Sequence, residues 1–258
     1  MSQAEPVFPL VAIVSAMHEE LRALLPQLEA VRRVERAGRE FHCGTLHGRP
    51  VVLVLSGIGK VAAATTVAVL VSEFAPAALL FTGVAGGLAP GVRVGDVVLA
   101  RELLQHDMDA SPLFPRYEVP MTGRARFPTD AALSDHLAEA SLRCLSDAPH
   151  VLGAAHLAEF DIGEPRLHQG LVLSGDRFVA TAAESAALRL ALPDALAVEM
   201  EGAAVAQVCA DFGLPFAVLR VISDRADDAA HVDFLRFTRE VASVLTRLIV
   251  GAALAHPR

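Results

Sequence analysis

Long apolar runs are missing from this sequence. Its hydrophobic stretches break at a charge or a glycine before reaching the roughly 18 residues that a membrane-spanning helix needs. Cysteine is scarce: Cys43, Cys144 and Cys209 form an odd set without metal-ligand spacing. That argues against a disulfide framework or a structural zinc site and fits reduced thiols in a cytoplasmic protein. Positive charge is also in deficit, with 22 Lys and Arg against 30 Asp and Glu and a net charge of -8. Non-specific binding to nucleic acid or to an anionic membrane is disfavoured, and a small-molecule ligand becomes the better expectation. Residues 1–9 lack the basic and long apolar regions of a secretory signal, so no export is expected. What is present is 258 residues, 53% hydrophobic and 20% charged, with no low-complexity stretch or internal repeat. Such a chain buries a sizeable core. No boundary is visible, and 1–258 reads as a single domain.

Strands alternate with helices along the chain. The β-branched run 11–15 predicts a strand, and Leu21, Leu24, Leu25 and Leu28 at helical spacing predict a helix over 16–28, which Pro26 kinks or ends. Strands follow at 39–46 and 50–55 around a His47-Gly48 turn. The glycine-bearing turn 56–60 then leads into a helix over 61–74. A buried strand at 77–81 ends in Thr82-Gly83-Val84-Ala85-Gly86-Gly87-Leu88, where the near absence of side chains permits close backbone approach to a ligand. A strand at 97–104 follows the Gly95-Asp96 turn. From 105 to 130 the pattern dissolves into aspartates, prolines and aromatics, which reads as a long functional loop. Helices are predicted at 131–145, 183–192 and 203–212, strands at 170–173 and 216–222, and one amphipathic helix over 232–255. This order implies a three-layer α/β fold.

Within that frame the stretch 195–204 stands out, because Glu199 and Glu201 sit in a segment that otherwise reads as core. A buried carboxylate needs a partner. If the segment is extended, the two acids share one face roughly 7 Å apart, an arrangement that invites comparison with a glycosidase pair. A solvated edge is the plain alternative. Ligands in open α/β sheets gather at the carboxyl ends of strands. Here the ends at Ser15 to Glu20, Ser56 to Lys60, Thr82 to Gly87, Ser174 to Phe178 and Ser223-Asp224 all carry polar or glycine-rich punctuation. Together with 199–202 they are expected to converge on one cleft.

Ala16-Met17-His18-Glu19-Glu20, Ser56-Gly57-Ile58-Gly59-Lys60, Thr82-Gly83-Val84-Ala85-Gly86-Gly87, Ser174-Gly175-Asp176, Val198-Glu199-Met200-Glu201 and Ser223-Asp224 occur in this order. In this the chain resembles bacterial 5′-methylthioadenosine/S-adenosylhomocysteine nucleosidases of the nucleoside phosphorylase superfamily, from about Val11 to the last helix. The resemblance implies a central mixed, twisted sheet flanked by helices. It also implies hydrolysis of the N-glycosidic bond of an adenine nucleoside through an oxocarbenium-like transition state, with no cofactor and no metal.

The same resemblance assigns roles. Asp224 matches the general acid that protonates the purine at N7, with Ser223 orienting it, and Glu20 matches the base that activates water on the other face of the sugar. Glu201 matches the ribose-binding carboxylate, with Met200 against the sugar and Arg220 neutralising the acid-rich wall. Phe178 matches the residue stacked on adenine, Val179 supplies backbone contacts, and Val84, Ala85 and Gly86 form the opposite floor. Val84 departs from relatives with Ser, which leaves this position without a side chain to hold water. Met17, Ile58 and Phe234 match the wall of the thioether pocket. The segment from His106 to Pro120 matches the family only at its start, Leu113 to Tyr117 being unlike familiar forms, and is expected to shape the 5′ end of the pocket across a homodimer interface. Taken singly, each residue has a structural reading: a helix cap for Asp224, a dipole partner for Glu20, core for Phe178, a surface charge for Arg220.

Neither 15–20 nor 80–87 contains an arginine, and Glu20 would repel phosphate, so hydrolysis is expected over phosphorolysis. A phosphate-dependent phosphorylase, a hydrolase of another 5′-modified nucleoside of futalosine type, and a non-enzymatic nucleoside sensor are the alternatives. Glu199 and Glu201 cannot serve as an acid and base on opposite faces of a sugar, and the resemblance assigns catalysis to Glu20 and Asp224 instead.

Overall fold

The computed structural model describes residues 9–226 and 234–255. In chain order the strands are β1 (Val11–Ser15), β2 (Glu29–Arg36), β3 (Arg39–Leu46), β4 (Arg49–Leu55), β5 (Ala78–Gly87), β6 (Val97–Gln105), β7 (Arg126–Pro128), β8 (Leu167–Ser174), β9 (Ala195–Glu199) and β10 (Phe216–Asp224). The helices are α1 (His18–Leu21), α2 (Lys60–Phe74), α3 (Ala131–Leu145), α4 (Ala148–Glu159), α5 (Ala182–Ala191), α6 (Gly202–Phe212), α7 (Phe234–Phe237) and α8 (Ser243–Ala255).

All ten of these strands join one mixed sheet in the order β10-β6-β8-β9-β5-β1-β4-β3-β2, with β7 beside β6. A further pairing of β10 with β5 closes the first five of these into a ring. Within the ring β6, β8 and β9 are parallel to one another, β5 and β10 are parallel to each other, and the two groups run in opposite directions. The last residues of β5 and β9 therefore meet tip to tip, Gly86 opposite Val198 and Gly87 opposite Ala197.

Both faces of the sheet are covered, which is why its strands read as unbroken apolar runs. Successive side chains of a strand point to opposite faces. Ala12 and Val14 of β1, with Leu79 and Phe81 of β5, pack into the core under α2 and α6. Ile13 points the other way with Val250 and Leu254 of α8, and Leu80 joins the core beneath α3 and α8. The three-layer sandwich expected from the sequence is thus observed, with partial closure of its middle layer added.

Several local expectations need correction. The helix predicted over 16–28 is a single turn, α1, followed by a 3-10 turn at Leu25–Gln27 that carries Pro26; Leu21, Leu24 and Leu28 are buried all the same. Strand β2 carries no sequence alternation because it is an exposed outer strand rich in Glu and Arg, a composition that discourages pairing with other chains. The segment predicted as one helix over 232–255 is α7, a π turn over Thr238–Ala242, and α8; 232 and 233 lie outside the described residues. Glu199 is the last residue of β9, whereas Glu201 is the N-cap of α6 at φ -135 and ψ -39. The two acids are therefore not strand neighbours on one face. Among the described residues no helix is long and apolar enough to cross a membrane.

Candidate active site

Strand tips from both directions border one open pocket of about 630 Å³. Ala16, Met17 and Glu20 come from the end of β1, Ile58 from the β4 to α2 turn, and Val84, Ala85 and Gly86 from β5. Arg177, Phe178 and Val179 follow β8, Val198 to Glu201 end β9, and Ser223 and Asp224 end β10, with Phe234 closing the wall. Of the sequence-predicted site residues only Arg220 does not line it.

Glu20 is buried, and its carboxylate is held by backbone. Its Oε2 accepts from the N–H groups of Ala16 and Met17 at 2.8 Å each, and Oε1 accepts from Val84 N–H at 3.0 Å. Burial pushes its pKa above the ordinary carboxylate value, opposed by the charge of Arg220 and by the three N–H donors. A carboxylate so placed is a stronger base than one in water. Gly83 makes this packing possible: a Cβ there would lie 2.5 Å from Glu20 Oε1 and 2.7 Å from Arg220 Nη1. Gly83→Ala is therefore expected to displace both groups and lower kcat on the order of 10²-fold while the circular dichroism spectrum is kept; steady-state rates check this.

Asp224 owes its aim to a bulge. The register between β10 and β5 slips at Ser223, with Ile222 opposite Ala85 and Asp224 opposite Gly86, and such an extra residue re-aims side chains at sites. Asp224 Oδ2 accepts from Ser223 Oγ at 2.7 Å and Oδ1 from Ala226 N–H at 2.7 Å. Gly86 leaves the room, since a Cβ at that position would come within 2.9 Å of Asp224 Oδ1.

The acids around the β9 tip divide their work. Glu199 is buried; it accepts from Ser174 Oγ, from Gly202 N–H at 2.9 Å and from Glu201 N–H at 3.2 Å. It also pairs with Arg220 Nη2 at 2.5 Å. Arg220 is 1% exposed and stacks over Phe81 with its guanidinium 4.1 Å from the ring centre. It is neither a surface charge nor a pocket lining; the expectation that it neutralises the acid-rich wall agrees with this pairing, and β9 and β10 not being sheet neighbours hid which acid it would meet. An arginine does then reach the Glu20 corner, from β10, but its charge is engaged by Glu199.

Glu201 accepts from Gly59 N–H at 2.8 Å. Burial, then the negative field of Glu199, push its pKa up to about 8. The folded-state value lies above the ordinary 4.5. The contribution of Glu201 to stability is therefore complete below about 4.5 and is lost as pH rises through about 8. The melting temperature of the free protein should fall with rising pH across that window, with a shallower slope in Glu201→Gln.

Phe178 is 45% exposed and meets Phe234 edge to face at 5.9 Å between ring centres. Two half-free aromatic faces beside the glycine-rich floor of β5 make a slot for a flat ring. Ile58 is exposed at the mouth, and Val84 is buried with its N–H committed to Glu20. Arg177, which the sequence did not single out, stands at the rim and pairs with Glu184 at 2.5 Å.

A pocket lined by one backbone-held carboxylate, a second carboxyl on a bulge and an aromatic slot defines a class of nucleoside-cleaving enzyme. The sequence profile of the phosphorylase superfamily matches residues 10–254. A 5′-methylthioadenosine/S-adenosylhomocysteine nucleosidase of Anoxybacillus flavithermus is 37% identical over 244 residues, 93% of this chain and 97% of the relative. The crystal structure of the Neisseria meningitidis enzyme of that name, in complex with methylthio-immucillin-A, has a TM-score of 0.83 and 35% identity, covering 96% of this chain and 99% of that one. The Streptococcus pneumoniae MTA/SAH nucleosidase, in complex with 8-aminoadenine, has a TM-score of 0.82 and 34% identity over 95% and 98% of the two chains. The chain belongs to the 5′-methylthioadenosine/S-adenosylhomocysteine nucleosidase family within the phosphorylase superfamily.

Proposed function

We propose that the protein hydrolyses the N-glycosidic bond of 5′-methylthioadenosine and S-adenosylhomocysteine, releasing adenine and the 5′-thio-substituted ribose. The observation that carries this is the Glu20 carboxylate, held by three backbone N–H groups in the wall of an apolar pocket that Asp224 also lines. An anionic nucleophile such as phosphate would meet that carboxylate, whereas water can be oriented and deprotonated by it.

Asp224 delivers a proton to N7 as the bond to the anomeric carbon breaks, and Ser223 fixes its orientation. Glu20 takes a proton from water as it attacks that carbon. Glu201 accepts hydrogen bonds from the ribose hydroxyls, with Met200 packed against the sugar. Since Glu201 has a pKa of about 8 in the free protein, the cationic sugar of the transition state favours its ionised form, so its attraction grows as the reaction proceeds. Phe178 stacks on adenine, Val179 reads the ring edge through its backbone, and Val84, Ala85 and Gly86 form the floor. Met17, Ile58 and Phe234 receive the thioether substituent. Arg220 acts through Glu199 and Glu20 rather than on substrate.

Incubation with a panel of 5′-substituted adenosines, with and without phosphate, tests the reading. Free 5′-substituted ribose and adenine should form at equal rates in both. Sugar 1-phosphate formed only with phosphate would overturn it.

The chain reads as one domain over 1–258, supported by a single sheet to which strands from Val11 to Asp224 contribute. It also reads as a homodimer: Ile58, Val61 and Leu113 are large apolar side chains exposed near the pocket mouth and in the segment after His106. Sedimentation equilibrium should give twice the chain mass. A cytoplasmic setting is supported by three unpaired cysteines.

A further inference from the structure

Three strand-end loops are tied together beside the pocket by charges that do not line it. Lys60, the first residue of α2, donates from Nζ to Asp107 Oδ1 at 2.6 Å and lies 3.7 Å from Asp176 Oδ2. Its backbone N–H donates to Asp176 Oδ1 at 2.8 Å, and Asp176 N–H donates to Asp107 Oδ2 at 2.9 Å. The Lys60 side chain is only 14% exposed. Desolvation would raise the Asp107 pKa, but the hydrogen bonds from Lys60 and from Asp176 N–H hold it below the usual range.

These contacts supply what α2 lacks. Its N-cap is Gly59, which has no side chain to satisfy the orphan N–H groups of the first turn. Two consecutive amides instead take acids from two other elements: Gly59 N–H holds Glu201, at the β9 tip, and Lys60 N–H holds Asp176, after β8. The positive end of the helix dipole favours both carboxylates. Gly59 itself, at φ +95, leaves only 3.2 Å between a would-be Cβ and Asp176 Oδ1, so a larger residue would strain the backbone and crowd the junction. Asp176 precedes Phe178 by two residues, and Lys60 follows Ile58 by two. One junction therefore fixes the sugar-holding acid, the base slot and the mouth of the thioether pocket relative to one another.

We propose that Lys60, Asp107 and Asp176 are positioning residues that clamp the α2 N terminus onto the ends of β6, β8 and β9, setting Glu201 and Phe178 at a fixed separation before substrate arrives. This rests on the nucleosidase reading of the pocket. The clamp touches neither the breaking bond nor the attacking water, so its loss acts on the assembly of the binding site. Partly solvated ion pairs add little to global stability, which makes thermal melting a poor readout.

The test uses the full chain with Lys60→Met, Asp176→Asn and the conservative Lys60→Arg. In Lys60→Met and Asp176→Asn the KM for methylthioadenosine should rise about tenfold with kcat within about threefold. Amide hydrogen exchange should quicken in 57–61, 105–109 and 175–180 and nowhere else. Lys60→Arg, which keeps the charge and a side-chain donor, should restore most of the lost affinity. An unchanged KM in both variants, or a loss confined to kcat, would overturn the clamp. Should the unaltered chain hydrolyse no nucleoside, the functional reading falls and exchange alone decides. Faster exchange confined to those three loops then supports the clamp, and unchanged exchange overturns it.

Discussion

Glu20→Gln and Asp224→Asn are each expected to lower turnover on the order of 10²- to 10⁴-fold while the protein still folds and still binds adenine. The expectation follows from what the two carboxyls face. Glu20 is buried, its pKa is raised by desolvation, and its two oxygens are fixed by three backbone donors. A glutamine fills the same volume but cannot take a proton, so water at the sugar is no longer activated. Asp224 sits on the bulge of β10 with Ser223 and Ala226 setting its plane, and an asparagine there has no acidic proton for a departing purine. Each loss should cost on the order of 10²- to 10⁴-fold in kcat, the usual contribution of a positioned acid or base. Single-turnover release of adenine is the measurement, with calorimetric binding of adenine as the control. Rates within tenfold of the unaltered protein for either variant would remove that residue from the reaction.

Arg220→Leu carries the largest expected effect on stability. Arg220 is enclosed between Phe81 and Glu199, and its charge is the partner of a carboxylate that is itself out of solvent. Removing one member of such a pair strands the other, at a cost of roughly 3–5 kcal/mol. For a chain of this size that corresponds to a fall in Tm of about 10 °C. The double variant Arg220→Met with Glu199→Gln should recover part of the loss, because neither remaining group is charged and the glutamine side chain keeps an acceptor for Gly202 N–H. By contrast the exposed pair Arg236 and Glu159 can be broken with a change of about 1 kcal/mol or less. Thermal and urea melts of these three variants decide the matter; equal sensitivity at the two sites would contradict the buried-pair argument.

Which features could be read from the sequence follows from where each residue gets its constraint. Glu20, Glu201, Phe178 and Asp224 lie at strand ends marked by glycine and serine; the punctuation located the stretches, the resemblance of their motifs singled out the residues, and all four line the pocket. The strands were legible because burial on both faces forces apolar runs. Strand β2 was not, since its Glu and Arg residues face solvent and carry no core pattern. Helix α4 was hidden by Pro149 and by Gly153, whose φ of 78 interrupts it. The helix expected over 16–28 was misread because leucines buried by a 3-10 turn mimic helical spacing. Arg220 and Glu199 lie on strands that do not pair, and Lys60, Asp107 and Asp176 on three separate loops. No local pattern links them; the closed ring of strands joins Arg220 to Glu199, and Lys60 meets it from the start of α2.

That ring also governs how the protein becomes active. The base comes just after the first strand and the acid from the last, and both strands flank β5. Acid and base come to one site only when chain segments some two hundred positions apart have docked on the same central strand. Pairings this distant in sequence form slowly, because loop closure must precede any reward from contact. During refolding, recovery of catalysis should therefore trail the recovery of helical signal, and a chain cut between β5 and β10 has no half-activity to keep.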